Sequence, residues 1–367
     1  FAATMRLGPL RGLAGDLRYY HLPYAYFGLW RLEWLIESVF ARGWPSRLRH
    51  RIEPAPPPGP RDVLFHPGDL FWQRRAPAAL VALRTETGVR LVELVHDLFV
   101  FDNPQWFADD LVRFCTAGLS TVAPHVDRWV TNSVFVRKRL RRYVKNSGLP
   151  VRPIGVLPMG WDSFGRAAAL GHPPEDKAVL KRLALKGVPF VLFVGTVEPR
   201  KNLGALLDAV EALRGELGEG MPALVVVGGG GWKSGEMKAR LRRMKGVHWF
   251  RAASDADLAV LYRHARFTVA PSFSEGWGLP VQESLAHGVP CIASNGGAMP
   301  EAAHGLARLF DPTDAKALQR AMAHWIKDDA ALEGARARIA VALCRDPLPT
   351  WNDAATFLRD YAMGETG

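Results

Sequence analysis

Residues 267–294 read Phe267-Thr-Val-Ala-Pro-Ser-Phe-Ser-Glu-Gly-Trp-Gly-Leu-Pro-Val-Gln-Glu-Ser-Leu-Ala-His-Gly-Val-Pro-Cys-Ile-Ala-Ser294 and contain a complete strand–helix–strand pattern. The apolar runs Phe267–Pro271 and Pro290–Ser294 predict two strands. Between them a helix is predicted over Pro280–His287, because Pro280 occupies a position suited to its first residue and Gly288 a position suited to its end. Two strands joined by one helix predict a parallel β-sheet covered by helices.

The rest of the chain repeats this alternation of short apolar strands and amphipathic helices in two series. The first series predicts strands at Asp62–His66, Arg90–His96 and Trp129–Thr131, and helices at Ala76–Thr87 and Val134–Lys145. The second predicts strands at Pro189–Gly195, Ala223–Gly228 and Val247–Phe250, and helices at Leu203–Leu217 and Asp255–His264. Each series therefore predicts a doubly wound α/β domain, which binds ligands at the carboxyl ends of its strands.

The stretch Pro153–Pro174, rich in glycine and proline, is the best boundary between the two series. We therefore expect an N-terminal domain over residues 1–165 and a C-terminal domain over residues 175–345. Residues 346–367 form a third segment, helical over Trp351–Met363, which the sequence allows to pack anywhere, including a return to the N-terminal domain. The aromatic stretch Tyr19–Phe40 favours a core helix of the first domain over a sugar-facing or membrane-facing surface.

Composition places the chain among ordinary globular proteins, since 48% of its residues are apolar and 23% are charged. No apolar run approaches the roughly 20 residues that span a bilayer, and no secretory signal is visible. The three cysteines, Cys115, Cys291 and Cys344, are odd in number and far apart. They favour buried thiols in a reducing cytosol over a disulfide framework or a metal cluster.

The net charge of +11 is concentrated in two clusters, within residues 137–145 and within residues 238–245. Such clusters attract the phosphates of nucleic acids, anionic membranes or polyanionic substrates, although a solvated helix face is an equally good explanation. A basic nucleic-acid-binding protein is the less favoured class. Its known motifs are missing from the sequence, and the charge is divided between two distant helices.

The turn after Pro271 combines a helix N-terminus with two carboxylates. Backbone N–H groups at such a position, together with the helix dipole, form a cradle for phosphate. Here the cradle comprises Gly276, Trp277, Gly278 and Leu279. Glu275 precedes it and Glu283 is expected in the first turn of the helix. Because like charges repel, these carboxylates suit sugar and ribose hydroxyls on either side of a diphosphate; the alternative for Glu283 is stabilisation of the helix dipole.

A second strand, glycine turn and helix start occur at residues 194–202, which read VGTVEPRKN. Arg200 and Lys201 fall at the carboxyl end of the first strand of the second series. Cations there can stabilise the negative charge of a departing diphosphate. The alternative is a basic loop, but positive charge beside a helix start is mildly unfavourable. Two cations in this position therefore indicate an anion nearby.

Together these segments resemble glycosyltransferase family 4, retaining enzymes of the GT-B fold. The resemblance lies in the Glu275-x7-Glu283 motif and in residues 194–202, followed by the later turn ASNGGAMPE at residues 293–301. The first half resembles the bacterial polysaccharide branch more loosely. It does so through DVLFHPGD, LVHDLFVFDNPQWF and TNSVFVRKRL, which begin at residues 62, 94 and 131, so that residues 60–345 are covered in all.

The resemblance implies two doubly wound Rossmann-like domains that face each other across a cleft. The N-terminal domain (residues 1–165) would bind the acceptor, and the C-terminal domain (residues 175–345) would bind the nucleotide sugar. Glu283 would bind the ribose, Glu275 the transferred sugar, and Arg200 and Lys201 the diphosphate. His96 is similar to the histidine that reaches the donor sugar, although on its own it fits a site and a simple turn equally. The remaining donor contacts would come from Gly195, Thr196, Gly276, Trp277, Gly278 and Leu279. Thr196 stands where many relatives carry an arginine, so that Arg200 would cover that contact.

In functional terms the resemblance implies transfer of a hexose from a nucleotide-diphosphate sugar to a growing, lipid-linked bacterial surface polysaccharide or lipopolysaccharide. GDP-mannose is the best guess for the donor. In the usual retaining mechanism the leaving phosphate oxygen takes the acceptor proton, so that no dedicated protein base is needed. No cofactor or metal is expected, because Asp255-Ala-Asp257 is a helix start capped by Ser254 rather than a metal-binding pair.

Family context also predicts where the chain works. The residues Arg137, Lys138, Arg141 and Arg142 would dock on the anionic inner face of the plasma membrane, near a lipid-linked acceptor. The expected location is therefore cytoplasmic and peripheral. Within enzymes, a phosphorylase or a synthase acting on a soluble sugar acceptor is the alternative.

Overall fold

The computed structural model describes residues 58–68, 71, 76–162, 175–345 and 348–364. The predicted helix within Tyr19–Phe40 and residues 163–174 of the predicted boundary lie outside this set. The described residues form two compact units. The smaller contains the described chain up to Leu64 together with Ala82–Arg90, and the larger contains Phe65–Val81 and the chain from Leu91 onward.

In the smaller unit, a backbone hydrogen bond joins the two segments of the chain. The N–H of Arg90 donates to the carbonyl of Asp62 at 3.1 Å. Gly88 adopts a φ of +71°, a left-handed conformation that reverses the chain after a helix and that favours glycine. Every residue of the candidate site described below belongs to the larger unit.

The first sheet has four strands in the order β1-β2-β3-β4, and β3 is parallel to both β2 and β4. The strands are β1 (Val63–His66), β2 (Arg90–Val95), β3 (Arg128–Thr131) and β4 (Ile154–Val156). The accompanying helices are α1 (Ala76–Thr87), α2 (Phe99–Asp102), α3 (Asp109–Val122) and α4 (Val134–Asn146). Sequential parallel strands separated by helices define a Rossmann-like half.

The second sheet has six strands in the order β10-β9-β8-β5-β6-β7, and every adjacent pair is parallel. The strands are β5 (Phe190–Val194), β6 (Ala223–Val227), β7 (Val247–Phe250), β8 (Thr268–Ala270), β9 (Cys291–Ser294) and β10 (Arg308–Phe310). The helices around it are α5 (Asp176–Arg182), α6 (Leu203–Leu217), α7 (Gly235–Arg243), α8 (Asp255–His264), α9 (Leu279–Ala286), α10 (Met299–Ala303), α11 (Ala315–Lys327) and α12 (Asp329–Arg345). The order reverses at β5 and β8, which is where such sheets bind ligands.

Strand β5 shows why the second sheet is covered on both faces. All five of its residues are buried. Val191 and Phe193 pack with α6 and α11 on one face, whereas Phe190, Leu192 and Val194 pack with α8 on the other. Successive side chains of a strand point to opposite faces, so a continuous apolar run such as FVLFV requires a helix layer on each side. The predicted α/β architecture of two Rossmann-like domains is confirmed.

The predicted bounds agree closely with the structure, with one informative difference. The predicted helix over Pro280–His287 instead spans Leu279–Ala286, because Gly278, with a φ of +112°, ends the turn and forms the N-cap. Pro280 is thus its second residue rather than its first. Glu283 is its fifth residue, and the first turn contains no acid. The expectation that Glu283 lies in the first turn is therefore wrong. The alternative explanation, that Glu283 stabilises the helix dipole, depended on that position and is wrong as well.

The C-terminal segment contacts the first sheet. Helix α13 (Trp351–Met363) begins with a capping box formed by Thr350 and Asp353. The guanidinium of Arg128, on β3, lies 5.0 Å from the ring centroid of Tyr361. A side chain at Gly155, on β4, would meet the rings of Phe357 and Tyr361 at about 3.0 Å. The helix therefore packs on β3 and β4, while the exact domain limits at residues 165, 175 and 346 stay predictions.

Cysteine exposure corrects one further expectation. Cys115 and Cys291 are buried, but Cys344 is exposed near the end of α12, so the prediction of three buried thiols is wrong for this residue. Cys344 is the penultimate residue of α12 and lies beyond the buried residues of that helix, Leu332, Ala335 and Ile339. Among the described residues, no helix is long and apolar enough to cross a membrane.

Candidate active site

The two predicted site segments meet at the carboxyl edge of the second sheet. Strands β5 and β8 are neighbours, with Leu192 paired to Thr268, so the turns that follow them lie side by side. The N–H of Phe273, in the turn after β8, donates to the carbonyl of Arg200, in the turn after β5, at 2.8 Å. This adjacency follows from parallel pairing, which brings the carboxyl ends of both strands to one edge.

Glu275 accepts hydrogen bonds from three side chains. Its carboxylate receives Nη1 of Arg200 at 2.6 Å, Nζ of Lys201 at 2.7 Å and Oγ of Ser272 at 2.6 Å. Burial alone would raise the pKa of Glu275, but the charges of Lys201 and Arg200 outweigh it and lower the pKa to about 2. Glu275 is therefore ionised and held in one orientation, and it cannot act as a general base near neutral pH.

Arg200 lies among three carboxylates. Besides Glu275, its Nη2 binds Glu198 at 2.8 Å, and Asp97 lies close enough to act on it electrostatically. Its guanidinium also stacks 4.5 Å from the ring centroid of Phe99. Burial would lower the pKa of Arg200, but the carboxylates raise it, so the guanidinium stays charged. For the Asp97 carboxyl, burial has the opposite effect and raises the pKa to about 6, although the positive charge of Arg200 acts to lower it.

The cluster therefore contains Glu198 and Asp97 in addition to Arg200, Lys201 and Glu275. Only the last three were predicted as site residues from the sequence. Glu198 was available in the sequence as the acidic residue two positions before Arg200. Its role depends on the 3₁₀ turn Pro199–Lys201, which brings Arg200 back towards it. Asp97 directly follows His96 in the sequence, but no local pattern indicates its place in the cluster, because its charged neighbours come from the second sheet.

Gly276 lies against the end of the first sheet. A Cβ at this position would stand 2.1 Å from the carbonyl oxygen of His96 and 3.2 Å from the side chain of Asp97. The hydroxyl of Ser133 also donates to the carbonyl of Gly276 at 2.8 Å. Only a glycine permits this approach. The structure therefore brings His96, at the end of β2, next to the predicted phosphate cradle.

The His96 side chain has a defined partner. Its Nε2 lies 3.0 Å from the carbonyl of Pro67, so this nitrogen carries the proton and donates it. Burial lowers the pKa of His96, which favours the neutral imidazole. A neutral imidazole beside an ionised cluster is suited to hydrogen bonding with a sugar hydroxyl rather than to neutralising phosphate.

The turn around Gly276 is fixed from the opposite side by the segment after β9. A Cβ at Gly297 would lie 2.4 Å from the backbone N and O of Glu275, and the N–H of Ala298 donates to that carbonyl at 2.9 Å. Within the described part of the chain, the N–H groups of Gly276, Trp277 and Gly278 donate to no protein acceptor. They are therefore available to an anion, as the cradle requires.

Glu283 binds Tyr262 rather than a cation. Oε2 of Glu283 accepts the tyrosine hydroxyl at 2.6 Å. Burial raises the pKa of Glu283 to about 7, against the lowering effects of that hydrogen bond and of Lys201. Lys201 thus acts electrostatically on both glutamates of the predicted motif.

A small pocket opens at this cluster. It is lined by Lys201, Ser272, Glu275, Gly278, Pro280 and Met299, among other residues. Gly195 adjoins it, since a Cβ there would lie 3.5 Å from Cε of Lys201. Thr196 follows in the same turn and approaches Gly231, where an added Cβ would meet its methyl group at 2.7 Å.

Trp277 and the basic helix lie apart from the charged cluster. Nε1 of Trp277 donates to Gln282 at 2.7 Å, and Gln282 donates to the carbonyl of Gly160 at 2.9 Å, so the indole faces the connection between the two sheets. On α4, Arg139 pairs with Asp102. The side chains of Lys138, Arg141 and Arg142 are exposed and that of Arg137 is partly so.

Among the described residues, no group of three or more His, Cys, Asp or Glu side chains is arranged to hold a metal ion. Ser254 caps α8 by accepting from the N–H of Asp257 at 3.1 Å, as the sequence predicts. That the reaction needs no metal or cofactor stays a prediction.

The fold and the site define a doubly wound α/β domain in which Arg200, Lys201 and Glu275 cluster at the carboxyl edge of the sheet. Residues 176–340 match the model of the family described as Glycosyl transferases group 1. The chain therefore carries a glycosyltransferase group 1 domain, and the prediction of a glycosyltransferase is confirmed at that level.

Two relatives and one solved structure illustrate the similarity. The O-antigen chain mannosyltransferase B of Escherichia coli is 31% identical over 255 residues, which are 68% of this chain and 64% of that protein. A D-inositol 3-phosphate glycosyltransferase of Salinispora arenicola is 31% identical over 227 residues, 56% of this chain and 48% of that protein. Each match thus spans less than two thirds of the relative.

The structure of Anabaena HepE in complex with UDP and glucose superimposes with a TM-score of 0.62 at 15% identity, covering 92% of this chain and 83% of that one. At this identity the likeness shows the fold, and it confirms the predicted GT-B arrangement of two Rossmann-like domains.

Proposed function

We propose that this chain is a retaining glycosyltransferase of family 4. It transfers mannose from GDP-mannose to a growing, lipid-linked bacterial surface polysaccharide. The observation that carries the proposal is the cluster of Arg200 and Lys201 on the carboxylate of Glu275, at 2.6 and 2.7 Å. It couples two buried cations to an ionised hydroxyl acceptor beside a helix N-terminus. The choice of mannose rests on the 31% identity to the E. coli O-antigen chain mannosyltransferase B.

Each group of the donor has a matching partner in this cluster. The diphosphate would bind Arg200, Lys201 and the backbone N–H groups of Gly276 to Leu279, where opposite charge and the helix dipole both favour it. Glu275, ionised because its pKa is about 2, would accept hydrogen bonds from hydroxyls of the transferred sugar. Glu283 would accept the ribose hydroxyls, and neutral His96 would contact the sugar from the first domain.

The reaction that follows exchanges one bond at the anomeric carbon. The bond from this carbon to the phosphate oxygen breaks, and the acceptor oxygen forms a new bond on the same face. The acceptor proton passes to the leaving phosphate oxygen, so the atoms balance without a protein base. Arg200 and Lys201 stabilise the charge that develops on the diphosphate, an effect worth about 10²–10³ in kcat for one well-placed donor in other enzymes.

We further propose that the enzyme works at the inner face of the plasma membrane. The exposed side chains of Lys138, Arg141 and Arg142 lie on one face of α4. Positive charge near an anionic leaflet contributes about 1 kcal/mol per residue to binding. Docking through this face would bring the enzyme to a lipid-linked acceptor.

A thermal-shift series with GDP, UDP, GDP-mannose and UDP-glucose tests the proposed donor. A ligand at 100 times its Kd stabilises the native state by about 2.7 kcal/mol, which gives a clear rise in Tm. We expect the largest rise with the guanosine compounds, and a loss of that rise in Glu283→Ala. If no nucleotide stabilises the wild type, the proposal fails.

A second measurement separates the acceptor classes. The similarity to D-inositol 3-phosphate glycosyltransferase favours a soluble sugar acceptor as the alternative. Transfer of labelled mannose to a lipid-extractable product supports the lipid-linked acceptor, whereas transfer only to soluble inositol phosphates or sugars supports the alternative. The anomeric configuration of the product, read by NMR, tests retention.

A further inference from the structure

Tyr262 is a buried tyrosine whose hydroxyl is directed at the second glutamate of the motif. It lies on α8 and is fully buried. Its hydroxyl donates to Oε2 of Glu283 at 2.6 Å, and its ring stacks on the ring of His287 with centroids 5.1 Å apart and planes 17° apart. A buried tyrosine in a glycosyltransferase core needs only one hydrogen-bond partner. Here that partner is Glu283, a predicted donor-binding residue, which indicates a function for the contact.

The geometry points to Tyr262 as a positioning residue for nucleotide binding, which holds the Glu283 carboxylate in place to receive the ribose hydroxyls. This inference rests on the proposed function, because it takes the ribose as the ligand of Glu283. Tyr262 itself need not touch the donor.

The contacts around Glu283 explain how this positioning works. Tyr262 occupies one acceptor direction of Oε2, which leaves Oε1 and the second direction of Oε2 for two ribose hydroxyls, since an ionised carboxylate accepts about four hydrogen bonds. His287, one turn along α9, donates from Nδ1 to the carbonyl of Glu283 at 2.8 Å. Tyr262 packs flat on that same imidazole. Side chain and backbone of Glu283 are thus both restrained before the nucleotide arrives.

The hydrogen bond from Tyr262 also favours the ionised form of Glu283. Burial raises the pKa of Glu283 to about 7, and the Tyr262 hydrogen bond opposes this rise. From other elements, Asp255 raises the pKa and Lys201 lowers it. The remaining titratable neighbours are His287 on the same helix, Arg263 beside His287, and Cys291 beside Tyr262. Loss of the hydroxyl therefore raises the pKa further, and more of Glu283 is protonated at neutral pH.

The experiment compares wild type with Tyr262→Phe by titrating GDP and UDP calorimetrically between pH 6 and pH 9. Affinity in the wild type should fall as the pH drops through about 7, where Glu283 takes up its proton. In Tyr262→Phe the affinity at pH 7 should be about tenfold lower, the size expected from losing one hydrogen bond to a charged group. It should recover as the pH rises towards 9.

Deoxynucleotides and a second tyrosine provide the controls. The effect of Tyr262→Phe should be much smaller with 2′-deoxy-GDP, because part of the ribose contact is already missing. Tyr361→Phe removes another buried hydroxyl, on α13, and should leave nucleotide affinity unchanged at every pH. Equal weakening with GDP and 2′-deoxy-GDP at every pH would mean a general packing defect and would overturn the inference.

A measurement on Tyr262 in the wild-type protein tests the inference even if Tyr262→Phe does not fold. The ¹³C NMR shift of Tyr262 Cζ should titrate with the proton of Glu283 in the wild type, and this titration should disappear in Glu283→Gln. An unchanged shift in both would also overturn the inference. If the wild type binds neither GDP nor UDP, the proposed function fails. If it binds them and Tyr262→Phe behaves identically, only the positioning role fails.

Discussion

The carboxylate of Glu301 accepts a hydrogen bond from the backbone N–H of Val134 at 2.7 Å and thereby closes the first turn of a helix from the other sheet. Its second oxygen accepts from the N–H of Phe135 at 2.8 Å. Ser133, the N-cap of α4, accepts from Val136 and donates to Gly276. The first turn of α4 is therefore satisfied partly by its own cap and partly by the domain that contains Glu275. This contact joins the basic helix to the turn around Gly276.

Replacing Glu301 by alanine should destabilise the protein by about 1–3 kcal/mol, because two partly buried helix N–H groups lose a charged acceptor. We expect kcat/KM to fall as well, since α4 and the Gly276 turn lose their common support. Urea unfolding and the rate of sugar transfer measure the two effects. Glu333→Ala, at an exposed side chain of α12, is the matched control and should change neither by much. An unchanged unfolding curve for Glu301→Ala would contradict this account.

Replacing Gly276 by alanine should sharply reduce activity. The added Cβ would stand 2.1 Å from the carbonyl oxygen of His96, so the turn must move away from the end of β2. Gly215→Ala is the control, because that helical glycine has open space around its Cβ. Alanine there should instead stabilise α6 by about 0.5–1 kcal/mol. Activity and Tm of both variants would be compared, and wild-type activity in Gly276→Ala would refute the close approach.

Glu275→Gln should remove a stabilisation that depends on pH. The pKa of Glu275 is lowered from 4.5 to about 2, so its ion pairs with Arg200 and Lys201 contribute fully above pH 4.5 and disappear as the pH falls towards 2. The difference in free energy of unfolding between wild type and variant should therefore shrink across that range. Glu216→Gln, at an exposed partner of Lys327, should show no comparable trend. A difference that stays constant from pH 7 to pH 2.5 would argue against an ionised Glu275.

Charge reversal on the exposed face of α4 should weaken binding to anionic vesicles. Changing Lys138, Arg141 and Arg142 to glutamate removes three favourable contacts of about 1 kcal/mol each, so binding should fall by more than tenfold. The matched control reverses three charges in the second cluster, at Arg242, Arg243 and Lys245. Flotation with and without phosphatidylserine measures both. Equal binding of the wild type to neutral vesicles would rule out electrostatic docking.

Local patterns in the sequence account for most of the elements. Helices over Ala76–Thr87, Leu203–Leu217 and Asp255–His264 have the predicted bounds, because their caps and apolar spacing are read within a few residues. The short elements α2 (Phe99–Asp102) and β10 (Arg308–Phe310) were not predicted, and neither were the longer helices α3, α11 and α12. Three or four residues alone carry little periodicity, so packing against neighbours decides the conformation of the short elements.

For the candidate site, the sequence alone predicts that Glu275, Glu283, Arg200 and Lys201 bind one ligand, since motif spacing and strand ends are local properties. Only the tertiary structure decided which of these residues contact one another. Arg200 and Lys201 bind Glu275, whereas Glu283 binds Tyr262 from another helix. The same holds for Asp97 beside Arg200 and for Glu301 on α4. Such contacts join residues more than 70 positions apart across the sheets, and a pattern confined to a few neighbouring residues cannot predict them. Tyr262 lies 21 positions before Glu283, and the strand between them brings the two side chains together.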